Sequence, residues 1–383
     1  MKKFLTILMC VFMLFSVAAC DGNEGGKDDG PIIVGCLQDL TGPTSTLGKS
    51  VLKGVEDAIA DINAKGGING REVQLKTYDT AADTTEAVNA YINAVTVDKV
   101  HVIVGPPIAN IVNALKATTA DYTVPMITLA VDPKCYADES GKLYEYLFCA
   151  QPSTVTQGSI MATYAIKEAG LKNIGVFYTQ DNSYSVGLVD PFLNTAAELG
   201  HPVAEANIIG YNSSETDVKT LIQPLVDAGV DAIYCPNYTK PLILIAQALN
   251  DLGYKGKIIS GLDGAPAFNT QFGGDCSNLF FINNIDVYEE KTAAMIASLG
   301  DSVGAPNKYF LGYDSMQMLG EIIAKVGTDG AAVAKELESY SYTGLTGTIT
   351  MDPETHMPIK STPMFMYTYD YQTAVMLKKY PEE

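Results

Sequence analysis

Residues 61–70, DINAKGGING, lie where a helix-forming segment gives way to a strand. Before them, residues 47–65 repeat apolar residues three and four positions apart, which is typical of one buried helix face. The paired glycines end that helix and the Asn-Gly dipeptide turns the chain. Residues 72–78 then have the composition of a strand, as does the apolar run 32–37 upstream. The stretch therefore predicts a β-α-β unit with parallel strands.

The same alternation continues along the chain and restarts after a break at residues 133–152. In the first series, further strands are predicted at 101–105 and 124–129, and helices at 84–97 and 109–122. In the second series, strands are predicted at 173–178, 203–209, 231–235, 256–260 and 279–282, and helices at 154–169, 185–199, 216–228 and 240–252. Two successive series of this kind predict an α/β fold with two doubly wound, Rossmann-like lobes.

The last hundred residues follow a different pattern. Helices are predicted at 289–299, 309–326 and 331–339, and strand-like segments at 347–351 and 363–369. A helical tail after the second lobe needs an apolar surface to pack on. We expect it to return to the first lobe, so that both lobes are built from discontinuous parts of the chain.

Composition limits the classes of function. The chain has 383 residues, enough for two domains at ~100–200 residues each. It carries 25 Lys and Arg against 44 Asp and Glu, a net charge of −19. Nucleic acid and anionic lipid are therefore poor partners, because their binding depends on basic surfaces. The charge also favours a monomer.

The amino terminus is typical of an exported lipoprotein. Residues 1–19 combine two lysines with a short apolar segment, and they end in the small residues that precede Cys20. This arrangement looks like a bacterial lipobox, and it predicts lipidation of Cys20; an ordinary signal peptide is the alternative. Residues 20–30 are rich in glycine and charge, which predicts a flexible tether. The mature protein is then expected outside the cytoplasm, held at the membrane by its lipid alone.

The cysteines and histidines indicate no metal or redox centre. Cys135 and Cys149 bracket a polar turn, an arrangement that could bring them together as a disulfide in an oxidising compartment. The sequence is equally consistent with a disulfide and with two free thiols. The other cysteines and the three histidines lack metal-ligand spacing, so neither a metal nor a cofactor is expected.

The run DINAKGGING, preceded by LTGP at 40–43, resembles the amino end of the periplasmic leucine/isoleucine/valine-binding proteins. These are solute-binding subunits of branched-chain amino-acid ABC importers. The resemblance implies the type I periplasmic-binding fold, in which three hinge crossings join two lobes around a ligand. It places the crossings near residues 152, 284 and 358–361. The implied lobes are 31–152 with 284–360, and 153–283 with 361–383.

The resemblance also implies a ligand site, with departures from the family pattern. The serine that holds the ligand carboxylate falls on Ala109, although the backbone N–H groups of Ala109 and Asn110 can still receive an anion. An alanine–threonine pair falls on Ala130 and Asp132, and an aromatic residue falls on Leu47. Two contacting tyrosines match Tyr184 and Tyr238, and Asp263 replaces a glutamate that pairs with the ligand ammonium.

Asp132 and Asp263 would place two negative charges near one spot. Because buried, unpaired charge is costly, this predicts a ligand with a cationic or donor-rich end, an amino acid or a related compound. Purely structural roles are the alternative for these four residues. Asp132 before a proline and Asp263 before a glycine are also typical of turns, and both tyrosines could be packing residues.

Three functions are consistent with these features. The first is a solute-binding protein that delivers its ligand to ABC permease subunits. The second is a sensory module of the same fold. The third, an extracytoplasmic enzyme that uses a carboxylate pair, is disfavoured because the chain has no nucleophile elbow, P-loop, zincin or dinucleotide motif. We therefore predict a binding protein and not an enzyme.

Overall fold

The structure is a computed structural model, and it describes residues 30–265 and 268–381. The predicted signal peptide, the lipidation site Cys20 and residues 20–29 of the predicted tether lie outside the described residues. Within the described part of the chain, no helix is long and apolar enough to cross a bilayer.

The first sheet has five parallel strands in the order β2-β1-β3-β4-β5. Its strands are β1 Ile32–Gln38, β2 Val73–Asp79, β3 Val102–Val104, β4 Met126–Thr128 and β5 Leu147–Cys149. The helices between them are α1 Ser45–Ala64, α2 Thr84–Thr96 and α3 Ala109–Thr119. These strands are almost completely buried except for β2 at the edge, as expected for a parallel sheet covered on both faces.

The second sheet has seven strands in the order β15-β14-β10-β9-β8-β6-β7. Its parallel part consists of β6 Ile174–Thr179, β7 Ile208–Tyr211, β8 Ala232–Tyr234, β9 Lys257–Ile259 and β10 Leu279–Asn283. The associated helices are α4 Thr154–Thr163, α5 Ser183–Glu198, α6 Val218–Asp227, α7 Thr239–Asp251 and α8 Phe268–Phe272. A π-helical turn, Tyr164–Glu168, continues α4.

The remaining elements are divided between the two sheets. They are α9 Glu290–Leu299, α10 Pro306–Val326, α11 Gly330–Leu337, β11 Ser341–Gly344, β12 Gly347–Asp352, β13 Met357–Pro358, β14 Met364–Asp370 and β15 Thr373–Tyr380. Strands β14 and β15 extend the second sheet with antiparallel pairing, whereas β11, β12 and β13 form a small sheet of their own. We call the first sheet, this small sheet and their helices the first lobe, and the seven-stranded sheet with its helices the second lobe.

Helix α10 packs along α1 of the first lobe. The two backbones approach so closely that a Cβ on Gly54 would lie 2.1 Å from the Tyr309 carbonyl oxygen, so only glycine fits there. The hydroxyls of Tyr309 and Tyr313 donate to Asp57 and Asp61 of α1, at 3.0 and 2.6 Å. One apolar cluster joins β1, α1, α10, α11 and β12. The C-terminal helices therefore pack on the first lobe, as their sequence pattern predicted.

The predicted parallel α/β architecture is confirmed, and the differences lie in individual strands. The sequence pattern predicted only a break at 133–152, whereas β5 lies inside it. The strand predicted at 203–209 begins only at Ile208, because a 3₁₀ turn occupies Glu205–Asn207. Strands β11 and β15 were not predicted, since their antiparallel partners decide them. The lobe boundaries at 152, 284 and 361 stay a prediction; each falls between strands of different sheets.

Cys135 and Cys149 are both free thiols, so the disulfide considered from sequence is not formed. A 3₁₀ turn at Pro133–Cys135 directs the Cys135 thiol toward the Ala109 carbonyl, 3.6 Å away. Cys149 ends β5, and its thiol donates to the Ala130 carbonyl at 3.3 Å. The turn between them is closed instead by an antiparallel bridge from Ala137 to Leu143.

Candidate functional site

Each parallel sheet reverses its strand order once. In the first lobe the reversal lies between β1 and β3, and in the second lobe between β6 and β8. Loops diverge at such points and leave a crevice at the carboxyl ends of the strands, where ligands of open α/β sheets bind. The N-termini of α1, α3, α5 and α7 follow these strand ends. Their unpaired N–H groups and partial positive charge favour an anion.

Three of the predicted site residues lie together in the second lobe. The rings of Tyr184 and Tyr238 stack with centroids 4.9 Å apart and planes inclined by 13°. The Leu262 backbone N–H donates to the Tyr184 hydroxyl at 3.2 Å, which ties this ring to the turn that carries Asp263. A Cβ on Gly261 would lie 2.3 Å from that hydroxyl, so the glycine before this turn is required by the tyrosine.

The Asp263 carboxylate is held by the start of α7. Its Oδ1 accepts from the Thr239 backbone N–H and from the Thr239 hydroxyl, both at 3.0 Å. Burial raises the pKa of Asp263, while the nearby Lys308 ammonium acts to lower it. The same carboxylate, after the larger effect of burial, raises the pKa of Tyr238.

Lys308 is a charged residue of the site that the sequence analysis missed. It lies in the first turn of α10, where its side chain is only 7% exposed, and it donates to Gln151 Oε1 at 3.1 Å. Burial lowers the pKa of Lys308 to about 8, and Asp263 acts in the opposite direction. Pro306 at the first helical position was the available signal, because proline there starts a helix earlier than the predicted residue 309.

Leu47, Asp263 and Lys308 line one small cavity of about 20 Å³. Leu47 belongs to the first turn of α1, whose entry loop is shaped by the buried Asp39 carboxylate. That carboxylate accepts from the backbone N–H groups of Gly42 and Thr44, at 2.6 and 2.7 Å. The fold therefore brings a predicted residue of the first lobe beside one of the second.

Ala109 and Asn110 begin α3, as predicted for a site at a helix N-terminus. Ile108 precedes the helix and provides no side-chain cap, while the Ala109 backbone N–H interacts with the Tyr238 hydroxyl of the second lobe and, against the larger effect of burial, acts to lower the pKa of Tyr238. Asn110 contacts the second lobe. Its Oδ1 accepts from the Ser183 backbone N–H at 2.8 Å, and its Nδ2 donates to the Asp181 carbonyl at 3.3 Å. This residue links the two lobes directly.

Asp132 and Ala130 follow β4. Asp132 is buried, and its Oδ1 accepts from the Lys134 backbone N–H at 3.0 Å. Burial raises the pKa of Asp132, and the Lys134 N–H acts to lower it. With Asn110, Asp132 lines a groove of about 1050 Å³, distinct from the small cavity. Ala130 is fully buried, and its carbonyl accepts from Tyr136 and Cys149.

The structure adds a charge to the arrangement that the sequence predicted. Asp132 and Asp263 line different cavities, although both, after the larger effect of burial, raise the pKa of Tyr238, and the cation that acts on Asp263 is Lys308 of the protein itself. From the sequence only two carboxylates and no base are expected there, because Lys308 lies 45 residues from Asp263 along the chain. The structure therefore supplies a counter-charge that a cationic ligand was expected to bring. Within the described residues, no group of three or more His, Cys, Asp or Glu side chains is arranged to hold a metal ion.

Two doubly wound sheets with facing carboxyl ends and a direct link between their loops define the class of two-lobed, type I periplasmic-binding folds. A family model described as "Periplasmic binding protein" matches residues 31–374. The chain belongs to this family.

Individual relatives agree with the family. The chain is 27% identical over 315 residues to the Leu/Ile/Val-binding protein homolog 3 of Brucella melitensis, covering 80% of this chain and 83% of the relative. Its fold is similar to that of the leucine-binding protein LivK of Thermotoga maritima, with a TM-score of 0.80, 24% identity, and coverage of 91% and 98%. It is equally similar to a solute-binding protein of R. palustris in complex with 4-hydroxybenzoate, with a TM-score of 0.80, 16% identity, and coverage of 91% and 97%.

Proposed function

We propose that this protein captures a small solute between its two lobes, outside the cytoplasm, and delivers it to the permease of an ABC importer. The observation that carries the proposal is the link between the lobes at Asn110, at the N-terminus of α3 and beside the start of α5. A site divided in this way is complete only when the lobes close. Binding then selects the closed state by its differential contacts.

The proposed ligand-contacting residues come from both lobes. Leu47, Ala109, Asn110, Ala130 and Asp132 belong to the first lobe, and Tyr184, Tyr238 and Asp263 to the second. The small cavity of about 20 Å³ holds no more than roughly one water molecule. A solute of amino-acid size therefore enters after the lobes move apart, as hinge closure requires.

The ligand class that we propose is an amino acid or a related small carboxylate. The two kinds of ligand in the relatives' names, branched-chain amino acids and 4-hydroxybenzoate, share a carboxylate. The partial positive charge at the start of α3, which no side chain caps, and the buried Lys308 both favour such a group. Because Lys308 already supplies a positive charge to the site, we no longer expect a ligand with a net positive charge.

Anchoring through a lipid on Cys20 is part of the proposal, and it has a test of its own. Expression of the full chain in a bacterium fed an alkyne fatty acid should label the protein at Cys20. Cys20→Ser should abolish the label and release the mature protein from membranes. A labelled Cys20→Ser variant would contradict lipidation at this residue.

A thermal-shift screen of the mature chain tests the binding function. A solute at a hundred times its dissociation constant adds roughly 2.7 kcal/mol of stability, which is several degrees of melting temperature. Small-angle scattering with and without that solute should show a decrease in the radius of gyration. Recovery of the solute unchanged distinguishes binding from catalysis. If no amino acid, aromatic acid, amide, polyamine or nucleoside raises the melting temperature, the proposed function is wrong.

A further inference from the structure

Lys308 has hydrogen-bonding capacity that the protein does not use. An ammonium group has three donors, and Gln151 Oε1 accepts from one of them. No carboxylate of the described residues forms an ion pair with Lys308, although Asp263 lines the same cavity. Two donors of a buried cation are therefore available to a group that enters this cavity.

Asp263 offers the complementary capacity. Both Thr239 hydrogen bonds reach Oδ1, and the Tyr184 hydroxyl also contacts the carboxylate. A carboxylate has about four lone-pair sites, so it keeps capacity for a further donor. Asp263 and Lys308 line the same small cavity and form no ion pair with each other, so a gap separates the carboxylate from the ammonium. A ligand that fills this gap has to accept from Lys308 and donate to Asp263.

Charge balance restricts the ligand further. The charges of Lys308 and Asp263 compensate each other in the small cavity. A ligand with a net charge would leave that charge uncompensated in a closed, largely dry site. A zwitterion adds one charge of each sign, so that its carboxylate can pair with Lys308 and its ammonium with Asp263. The two charges have to be close together, as they are in an α-amino acid.

We infer that Lys308 binds the carboxylate of an α-amino acid whose ammonium group pairs with Asp263. The inference rests on the proposed function and makes it more specific. It selects amino acids over cationic amines and over acids that lack an amino group.

Isothermal titration calorimetry on the full mature chain tests the inference. The probes are the twenty proteinogenic L-amino acids, with agmatine as the cation and 4-hydroxybenzoate as the anion without an amino group. We expect at least one amino acid to bind and neither control probe to do so. Lys308→Met keeps the length of the side chain and removes the charge. It should weaken amino-acid binding by about 10- to 100-fold, since a charge-assisted hydrogen bond is lost.

Lys335→Met is the matched control variant. Lys335 lies on α11 of the same lobe, where it is exposed and pairs with Glu338, so this variant changes the net charge equally without altering the affinity. As a second measurement, the wild-type affinity should fall as the pH rises above the pKa of Lys308, which does not require the variant to fold. Equal or tighter binding by Lys308→Met, or a flat wild-type pH profile, overturns the role of Lys308.

The remaining outcomes separate the inference from the proposed function. Binding of agmatine or 4-hydroxybenzoate without any amino acid overturns the inference and leaves a solute-binding protein. A wild-type chain that binds no probe here and no compound in the wider thermal-shift screen overturns both.

Discussion

The small cavity beside Asp263 and the groove beside Asp132 each contain a buried carboxylate, but the two carboxylates have different surroundings. Asp132 accepts from the backbone of its own turn, two residues further along the chain, and the other groups that act on it, Asn113, Lys116 and Lys134, belong to the same lobe. Asp263 accepts from a different helix and faces Lys308 of the other lobe. The difference shows how a buried carboxylate that stabilises a local turn can be distinguished from one placed opposite a cation across a cleft.

The largest effect is expected for Asp263, and the matching substitution of Asp132 should have a much smaller one. Asp263→Asn should weaken binding of the amino acid by about 100-fold, because its ammonium loses a charged acceptor and Lys308 loses its counter-charge. Asp132→Asn should change the affinity by less than about threefold, since the amide oxygen still accepts from the Lys134 N–H. Calorimetry on both variants measures the contrast. Equal losses would mean that Asp132 contributes as much to ligand binding as Asp263 does.

The pH dependence of binding should follow Lys308. The groups that affect its titration are Asp263 and the Cys149 thiol, and burial raises the pKa of Cys149 to about 11, so the thiol stays neutral below pH 9. The bound state requires the protonated amine, whose pKa in the free protein is about 8. Affinity should therefore fall above about pH 8, approaching tenfold per unit. Lys308→Met should have a flat profile between pH 6.5 and 9.

The contribution of Lys308 to the stability of the unliganded protein should change with pH in the direction opposite to its contribution to ligand affinity. Because the folded pKa of Lys308 lies below the ordinary value of 10.5, the unfolded chain binds more protons between about pH 8 and 10.5. This residue alone therefore makes the unliganded protein more stable as the pH rises through that range. Chemical denaturation of the wild type and Lys308→Met at pH 7.5 and 9 should show a larger pH-dependent gain in the wild type. An equal gain would indicate that the amine is not buried in solution.

Asn110→Ala should have a moderate effect, because it removes two hydrogen bonds between the lobes. The loss of about 1 kcal/mol in the closed state corresponds to roughly a fivefold weaker affinity. Asn113→Ala is a useful comparison, because its amide makes one hydrogen bond to the second lobe, to the Ser183 hydroxyl at 3.3 Å, and otherwise contacts Asp132 of its own lobe. Small-angle scattering should show a larger open population for Asn110→Ala. A change in affinity without a change in shape would indicate that Asn110 acts on the ligand and not on closure.

The smallest expected effect concerns the cysteines. Since Cys135 and Cys149 are buried free thiols, a reducing agent should leave the melting temperature unchanged within experimental error. Mass spectrometry of the denatured chain after alkylation should find both residues modified without prior reduction. A marked decrease in melting temperature on reduction would show that a disulfide forms in solution.

Much of the fold was predictable because local patterns and packing agree. The apolar spacing of α1, the turn at 66–70 and the alternation of strands with helices all indicate doubly wound sheets, and the structure has them. Strand β5 was missed because no α-helix precedes it: only a 3₁₀ turn at Pro133–Cys135 lies between β4 and β5, so the alternation of strands and helices is interrupted. Strands β11 and β15 were missed because most of their residues are exposed and carry no apolar pattern; antiparallel pairing with the neighbouring strands β12 and β14 stabilises them.

The site was predictable in position but not in charge. Parallel strands place their carboxyl ends together, so residues after β3, β4, β6, β8 and β9 were expected near one crevice. Lys308 follows no such strand. It enters the site because α10 packs along α1 and directs its first turn toward Gln151 and Asp263.

The sequence by itself determined the parallel α/β architecture and the ends of the strands where a ligand is expected, since both depend on short-range periodicity and on the geometry of βαβ units. Only the tertiary structure decided which charges face each other and which carboxylate closes its own turn. Electrostatic pairing depends on separations of a few ångströms, and residues 45 positions apart meet only after helices and lobes have packed.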